Sequence, residues 1–277
     1  MGTADDDTFY PGGGWDVVEG GLGIDTVVII GRSSQFDLVI ENGLVYIDAT
    51  SGASASTERT ELINVELVQF LDKTVNLVAN DTFTGQPGTD LIDGGLGTDT
   101  VVYSGPLEQY TVNKNGNRYI VSEPTGSDDT DYLTNIERLQ FKDKGLAFDL
   151  DKNAGVAAKT LGLVFGSDAV ALPNYVGICL DLLERQNYSQ TALMQAALNV
   201  RLGADASNPG KVVDFLFTQL TGALPSSQDK ASFVNLILNQ TYSIESLAVV
   251  AAELSINPIA PSLVGLATNG LPYVLPS

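Results

Sequence analysis

The sequence predicts a multi-domain protein of mixed β-plus-α class, with two short β blocks followed by an all-α helical bundle domain. Three observations support this: a duplication within residues 1–149, a nine-residue spacing of aspartates in each copy, and helical periodicity from Asn153 onward. We therefore expect block one at 1–75, block two at 76–150 and the helical domain at 151–277. A chain of 277 residues with 44% hydrophobic content is long enough to fill a core in each part.

The duplication is a match of the sequence to itself at an offset of 74 residues. Residues 20–28 read GGLGIDTVV, and residues 94–102 read GGLGTDTVV. After a loop rich in Ser, Thr and Asp the offset shortens to 71, where residues 62–70 meet residues 133–141. Self-similarity of this length predicts two copies of one structural unit.

A shorter repeat of nine residues runs inside each copy. Its best examples have the form G-G-x-G-x-D-x-U-x, in which U is a large apolar residue. Glycine permits a positive φ, so the loop can curl until its backbone carbonyls converge, and the aspartate adds carboxylate oxygen. Oxygen ligands without nitrogen or sulfur suit Ca²⁺, which tolerates irregular coordination better than Mg²⁺. The x-U-x part predicts a three-residue strand whose central side chain points inward.

These repeats resemble the RTX (repeats-in-toxin, haemolysin-type) calcium-binding family over residues 2–28 and 78–102. The resemblance implies that two nonapeptides form one turn of a right-handed parallel β-roll, with the ion between loops stacked on one edge. Each block would then be a short parallel β-roll followed by a β-hairpin. The candidate calcium-binding residues are Asp7, Asp16, Asp25, Asp81, Asp90, Asp99, Gly12, Gly14, Gly21, Gly23, Gly88, Gly95 and Gly97.

Within each block, the first and third loops are expected to stack. Asp7 with Asp25, and Asp81 with Asp99, would then each frame a site, whereas the second loops, with Asp16 and Asp90, would have no stacked mate.

Some positions depart from the repeat pattern. Residues 4–7 lack the glycines, Pro11 and Trp15 flank the second loop, and Gln86-Pro87 interrupts the loop before Asp90. The alternative interpretation is that these are ordinary Gly/Asp turns that bind nothing. Clustered carboxylates without a cation would repel one another, which argues against that alternative.

Further strands follow the repeats in both blocks. Alternating apolar residues flank Asn42-Gly43 and Asn115-Gly116, which predicts a β-hairpin in each block. The segment L-x-N-(V/I)-E-x-x-Q-F then predicts another strand, in which Asn64 and Asn135 are expected to cap turns. The acidic residues 128–131 are interpreted as a solvated loop, with an additional ion site as the alternative.

The last part of the chain has the periodicity of amphipathic helices. Start signals such as Ser189, Asn208-Pro209 and Ser226 precede several of them. The candidate helices are 154–166, 174–186, 190–202, 209–221, 227–239 and 244–254. Residues 150–277 resemble helical domains at the C-terminus of bacterial type I-secreted proteins, and we expect a packed domain without an active site.

Charge and composition exclude several functions. The net charge is −20, of which −17 lies in residues 1–149, so nucleic acid and anionic membranes would be repelled. Histidine is absent, which excludes Ser-His-Asp and Cys-His catalysis. The single cysteine, Cys179, lies in an apolar stretch and is expected to be a buried core residue, with a reactive or intermolecular thiol as the alternative. No apolar run approaches the ~18 residues of a membrane span.

The sequence shows no charged-then-apolar N-terminal leader, so the protein is either cytoplasmic or exported without a cleaved N-terminal signal. The resemblance to type I-secreted proteins implies the second, with the secretion machinery as a partner and an extracellular or cell-surface location.

We therefore expect a non-catalytic module that folds on Ca²⁺ after export and serves adhesion or cell-surface assembly, by self-association or by binding a surface glycan or protein. The alternatives are a surface-layer (S-layer) or filament subunit, and the C-terminal calcium-binding and secretion part of an extracellular hydrolase or lyase.

Overall fold

The computed structural model describes residues 1–41, 44–50, 59–85, 88–116, 118–123, 130–254 and 265–276, without the side chains of residues 40 and 41. The predicted turn Asn42-Gly43, the Gln86-Pro87 interruption and residues 128–129 lie outside these ranges. The chain divides into two compact units, Met1–Asp81 with Asp93–Asp99, and Thr82–Ile92 with Thr100–Ser277. The predicted domain boundaries near residues 75 and 150 stay a prediction.

The first unit contains two four-stranded sheets, with strand orders β1-β3-β7-β8 and β2-β6-β5-β4. Strands β1, β3 and β7 pair in parallel, as do β2 and β6, whereas the β4–β5 hairpin and its pairing to β6 are antiparallel. The strands are β1 Thr8–Phe9, β2 Trp15–Glu19, β3 Thr26–Val28, β4 Phe36–Glu41, β5 Leu44–Ala49, β6 Arg59–Ile63, β7 Leu67–Gln69 and β8 Thr74–Asn76, with a 3₁₀ turn at Ser33–Gln35.

The core of the first unit is built from the inward-pointing apolar position of each short strand. Val27 lies opposite Phe9 in β1 and Val68 in β7, and both valines are completely buried. Val18 and Leu62 face each other in the parallel pair of the second sheet and are also buried. The alternation of side chains along a strand sends these residues to one side, which explains the x-U-x pattern of the repeat.

The β part of the second unit has the same design. Its sheets have the orders β17-β16-β15-β11-β9 and β10-β14-β13-β12, and β9, β11 and β15 pair in parallel. The strands are β9 Thr82–Thr84, β10 Leu91–Asp93, β11 Thr100–Val102, β12 Thr111–Asn115, β13 Arg118–Ser122, β14 Thr130–Thr134, β15 Arg138–Gln140, β16 Gly145–Ala147 and β17 Leu271–Tyr273, with a 3₁₀ turn at Leu107–Gln109.

The predicted helices correspond to helices of the second unit. Ser189, Asn208 and Ser226 cap three of them, each accepting a hydrogen bond from a backbone N–H three residues later. The helices are α1 Asn153–Phe165, α2 Ser167–Val170, α3 Pro173–Leu180, α4 Gln190–Leu202, α5 Pro209–Thr221, α6 Ser227–Leu238, α7 Ile244–Leu254 and α8 Leu266–Asn269. A π turn at Asp181–Arg185 continues α3, and a 3₁₀ turn at Gly203–Ser207 follows α4.

The prediction of an all-α C-terminal domain is wrong in one element, because β17 is a strand. It pairs antiparallel with β16, and Leu271 and Tyr273 share a core with Ala147 and with residues of α1 and α3. Gly145 makes this approach possible, since a Cβ there would lie 2.2 Å from the Tyr273 ring. Three residues are too few for a recognisable period, so the open edge of β16 decides their conformation.

Among the described residues, no helix combines the length and the apolar character that a membrane crossing requires.

Candidate calcium site

The first and third loops of block one lie one above the other, at an offset of 18 residues. Asp7 N–H donates to Asp25 Oδ1 at 2.8 Å, and Ile24 N–H donates to Asp6 Oδ1 at 2.8 Å. The strands that follow keep the same offset, because Thr8 of β1 is in register with Thr26 of β3. Two nonapeptides therefore make one turn of the coil, and the structure brings Asp7 and Asp25 together.

Glycine is required in the third loop because that loop passes very close to the first. Gly21 and Gly23 have backbone φ values of 114° and 112°, which residues other than glycine rarely adopt. A Cβ at Gly21 would lie 2.2 Å from the Thr3 carbonyl oxygen, and one at Gly23 would lie 2.9 Å from that of Asp5. The close approach leaves no room for a side chain at either glycine.

Asp25 is the most buried acidic group in this stack, with no exposed surface. Its Oδ1 accepts the Asp7 N–H, whereas its Oδ2 is buried without a hydrogen-bond partner. A Cβ at Gly20 would lie 2.4 Å from that Oδ2 and 1.9 Å from the Asn64 carbonyl oxygen. Burying a carboxylate with an unsatisfied oxygen costs several kcal/mol unless a cation compensates, so the residues fit a bound Ca²⁺.

The corresponding loops of block two show the same contacts. Asp81 N–H donates to Asp99 Oδ1 at 2.7 Å, and Thr98 N–H donates to Asn80 Oδ1 at 2.8 Å. Asp99 is fully buried. Gly97 has a φ of 137°, and a Cβ there would lie 2.3 Å from the Ala79 carbonyl oxygen. Gly95 also has a positive φ, of 86°.

The second loops differ from the first and third because their glycines face open space. A Cβ added at Gly12, Gly14 or Gly88 would meet no atom of the described residues within 4 Å. Asp16, at the start of β2, is in register with Thr60 of β6, and its Oδ2 is buried without a hydrogen-bond partner. The structure therefore does not bring the predicted glycines of these loops against another loop in the part it describes.

Asp90 nevertheless has a neighbour that the nine-residue spacing did not indicate. Its N–H donates to Asp131 Oδ1 at 3.0 Å, and its carbonyl accepts the Tyr132 N–H at 2.9 Å. Asp131 is only 4% exposed and also accepts a hydrogen bond from the Tyr103 hydroxyl at 2.9 Å. Burial and the nearby Asp131 carboxylate raise the pKa of Tyr103 above its ordinary value.

Two expectations are corrected by this arrangement. Asp131 is not part of a solvated loop, because it enters the buried strand β14. Neither second loop lacks a neighbour within its block: β14 lies next to β10, beside Asp90, and β6 lies next to β2, where Thr60 is in register with Asp16.

Glu66 is a site residue that the sequence reasoning missed. Its Oε2 accepts the Asp25 N–H at 2.8 Å, and its own N–H donates to the Asp25 carbonyl at 3.2 Å. A signal was present, because Glu66 precedes the buried Val68 by two residues, as Asp25 precedes Val27. Glu66 was not predicted as a site residue because the residues before it lack the glycines of the repeat. Glu137 occupies the equivalent place before β15.

Asp7, Asp25 and Glu66 thus form an acidic column on one edge of the first unit. Two hydrogen bonds, from the Thr3 backbone N–H and the Thr3 hydroxyl, lower the pKa of the Asp7 carboxyl, so the group is ionised at neutral pH. In the described part of the chain, no group of three or more His, Cys, Asp or Glu side chains could hold a metal. An ion here would therefore combine carboxylates with main-chain carbonyl oxygens.

Short parallel strands, joined by stacked glycine and aspartate loops around a buried carboxylate, define a calcium-binding repeat coil. The family model of the RTX calcium-binding nonapeptide repeat matches residues 1–27 and 79–101, in four copies. The chain therefore contains RTX repeats, which bind calcium, and such repeats indicate a type I-secreted extracellular protein. No curated protein matches the sequence.

Among solved structures, the chain is similar to the crystal structure of extracellular lipase LipA from Serratia marcescens. The sequence identity is 11% and the TM-score is 0.21. The match covers 49% of this chain and 37% of the lipase chain, so it spans little more than a third of that protein.

Proposed function

We propose that this chain is a non-catalytic module of an exported protein, and that it folds when Ca²⁺ enters the spaces between its stacked loops. The observation that carries the proposal is the buried Asp25 carboxylate, whose Oδ2 has no hydrogen-bond partner and lies close to Gly20. A role in calcium-triggered folding requires only that this arrangement be unfavourable without the ion and favourable with it.

Both conditions follow from the electrostatics of the acidic half. Residues 1–149 have a net charge of −17, and the column of Asp7, Asp25 and Glu66 places like charges on one edge. At low Ca²⁺, repulsion and carboxylate burial favour an unfolded, threadable chain. When Ca²⁺ is about a hundredfold above its dissociation constant, each bound ion contributes about 2.7 kcal/mol to folding. External calcium would then fold the repeats after export.

A calcium titration followed by circular dichroism and sedimentation tests the proposal. Ca²⁺ should raise the β content and the melting temperature, and Mg²⁺ at equal concentration should do little, because Mg²⁺ demands octahedral geometry and releases its waters reluctantly. Equal responses to the two ions, or no response to calcium, would refute the proposal.

We propose adhesion or cell-surface assembly as the biological role, and a surface-layer or filament subunit as the second candidate. Exposed apolar side chains in the first unit favour assembly, since Tyr10, Trp15, Val17 and Leu22 are each more than half exposed. Light scattering at low protein concentration separates adhesion from self-assembly: calcium-dependent growth of particles favours the surface-layer or filament subunit, and a calcium-loaded monomer favours adhesion. The remaining alternative, the C-terminal part of a secreted hydrolase or lyase, is tested by determining the native reading frame.

A further inference from the structure

We infer that Glu66 is a calcium ligand, and that it closes a site on the side of the third loop facing away from the first loop. Glu66 lies outside the matched nonapeptide repeats, which end at residue 27 in this block and resume at residue 79. The inference rests on the proposed calcium-dependent folding, which it extends to a segment without the glycine pattern.

The backbone places residues 63–66 as the third turn of the stack. Gly20 N–H donates to the Ile63 carbonyl at 2.9 Å, and the Asp25 carbonyl accepts the N–H groups of Glu66 and Leu67 at 3.2 and 3.0 Å. Strand β7, which follows, pairs in parallel with β3. The third loop is therefore enclosed by the first loop on one side and by this turn on the other.

The turn presents oxygen atoms to the third loop. Asn64 has a φ of 49°, in the left-handed region that asparagine tolerates, and its carbonyl oxygen approaches Gly20. Asp25 Oδ2 approaches the same glycine, since a Cβ at Gly20 would collide with both oxygens. The expected role of Asn64 as a turn residue agrees with this geometry, and its main-chain oxygen is available to an ion.

The two carboxylates next to the third loop would be stabilised by a bound cation. Asp25 is fully buried and its Oδ2 has no hydrogen-bond partner. The Glu66 carboxylate accepts the Asp25 backbone N–H, so it lies against the third loop at the residue that carries the buried acid. Within the described part of the chain, neither acid forms an ion pair with a lysine or arginine. Two carboxylates and a carbonyl, with no nitrogen or sulfur, are a donor set for a hard cation such as Ca²⁺.

The test is the number of Ca²⁺ ions bound by the full chain, measured by isothermal titration calorimetry. Glu66→Gln retains an oxygen that can accept the Asp25 N–H but removes the charge, so the variant should bind one ion fewer than the wild type. Glu61→Gln is the matched control, because Glu61 lies on β6 in register with Tyr46 and takes no part in the column. It should bind as many ions as the wild type.

Three further outcomes of this titration bear on whether Glu66 is a calcium ligand. If Glu66→Gln matches the wild type in both ion number and affinity, Glu66 is not a ligand, although calcium-dependent folding stands. If the wild type binds no calcium, the proposed function fails and this inference with it. If Glu66→Gln does not fold, Glu66→Asp replaces it: its shorter carboxylate should weaken one ion about tenfold or more, and unchanged affinity would overturn the inference.

Discussion

Replacing Asp25 by asparagine should have opposite effects on stability with and without calcium. The asparagine amide oxygen can still accept the Asp7 N–H, so the variant keeps a hydrogen bond in place of the one that Asp25 accepts at 2.8 Å. What changes is the charge of a fully buried group that lies between two other acids. In a chelator, loss of that charge should leave the protein as stable or more stable, because it removes repulsion and a carboxylate desolvation penalty.

In calcium the same substitution should destabilise the first unit. If asparagine weakens a site a hundredfold, an ion that contributed about 2.7 kcal/mol would contribute only about 0.4 kcal/mol at the same free Ca²⁺. The loss of about 2.3 kcal/mol in a unit of about 90 residues corresponds to a melting temperature roughly 9–18 °C lower. The loss grows if Asp25 serves ions on both sides of its loop.

The assay is thermal unfolding followed by circular dichroism, in saturating Ca²⁺ and in chelator, with Asp37→Asn as the control. Asp37 is exposed on β4 and should change neither melting temperature appreciably. A drop of equal size in calcium and in chelator would show that Asp25 acts only through hydrogen bonding and packing, and would refute the metal-ligand role.

Two other predictions concern the helical part of the second unit. Burial raises the pKa of the Cys179 thiol to about 12, so at pH 8 a thiol reagent should modify it only after unfolding; rapid labelling of the native chain would contradict the buried environment. A fragment of residues 150–277 should be helical in a chelator, but β17 would lack β16 and the core would lack Ala147. A fragment beginning at residue 143 should therefore be more stable by at least about 1 kcal/mol in chemical denaturation, and equal stability would show that the strand pair contributes nothing.

The repeat pattern in the sequence predicts Asp25 as a site residue but does not predict Glu66. Asp25 is predictable because glycines with positive φ, an acid and an apolar residue recur at fixed spacing, and each has a local physical cause. Glu66 has the acid and the apolar residue but no glycines, so its place beside Asp25 depends on a contact across 41 residues. The hairpin β4–β5 separates the two, and its length carries no information about the stacking.

Asp131 illustrates the same limit with the opposite error. In the sequence it closes an acidic run, which favours a solvated loop, whereas in the structure it accepts hydrogen bonds from Asp90 and Tyr103 and is buried. The concentration of acidic residues at 128–131 predicts exposure for the segment as a whole, but it does not show which residue of the segment begins a buried strand.

The sequence by itself determined the strands of the repeats, the oxygen-rich loops and the positions of the helices, because each depends on periodicity and capping within a few residues. Only the tertiary structure decided that Asp25 is enclosed on both sides, that Asp90 has Asp131 as a neighbour, and that β17 joins the sheet of β16. These contacts join residues 41 or more positions apart, and which sheet edge or loop receives a segment depends on the packing of the whole unit. A sequence pattern of a few residues therefore does not predict which sheet edge or loop a segment will contact.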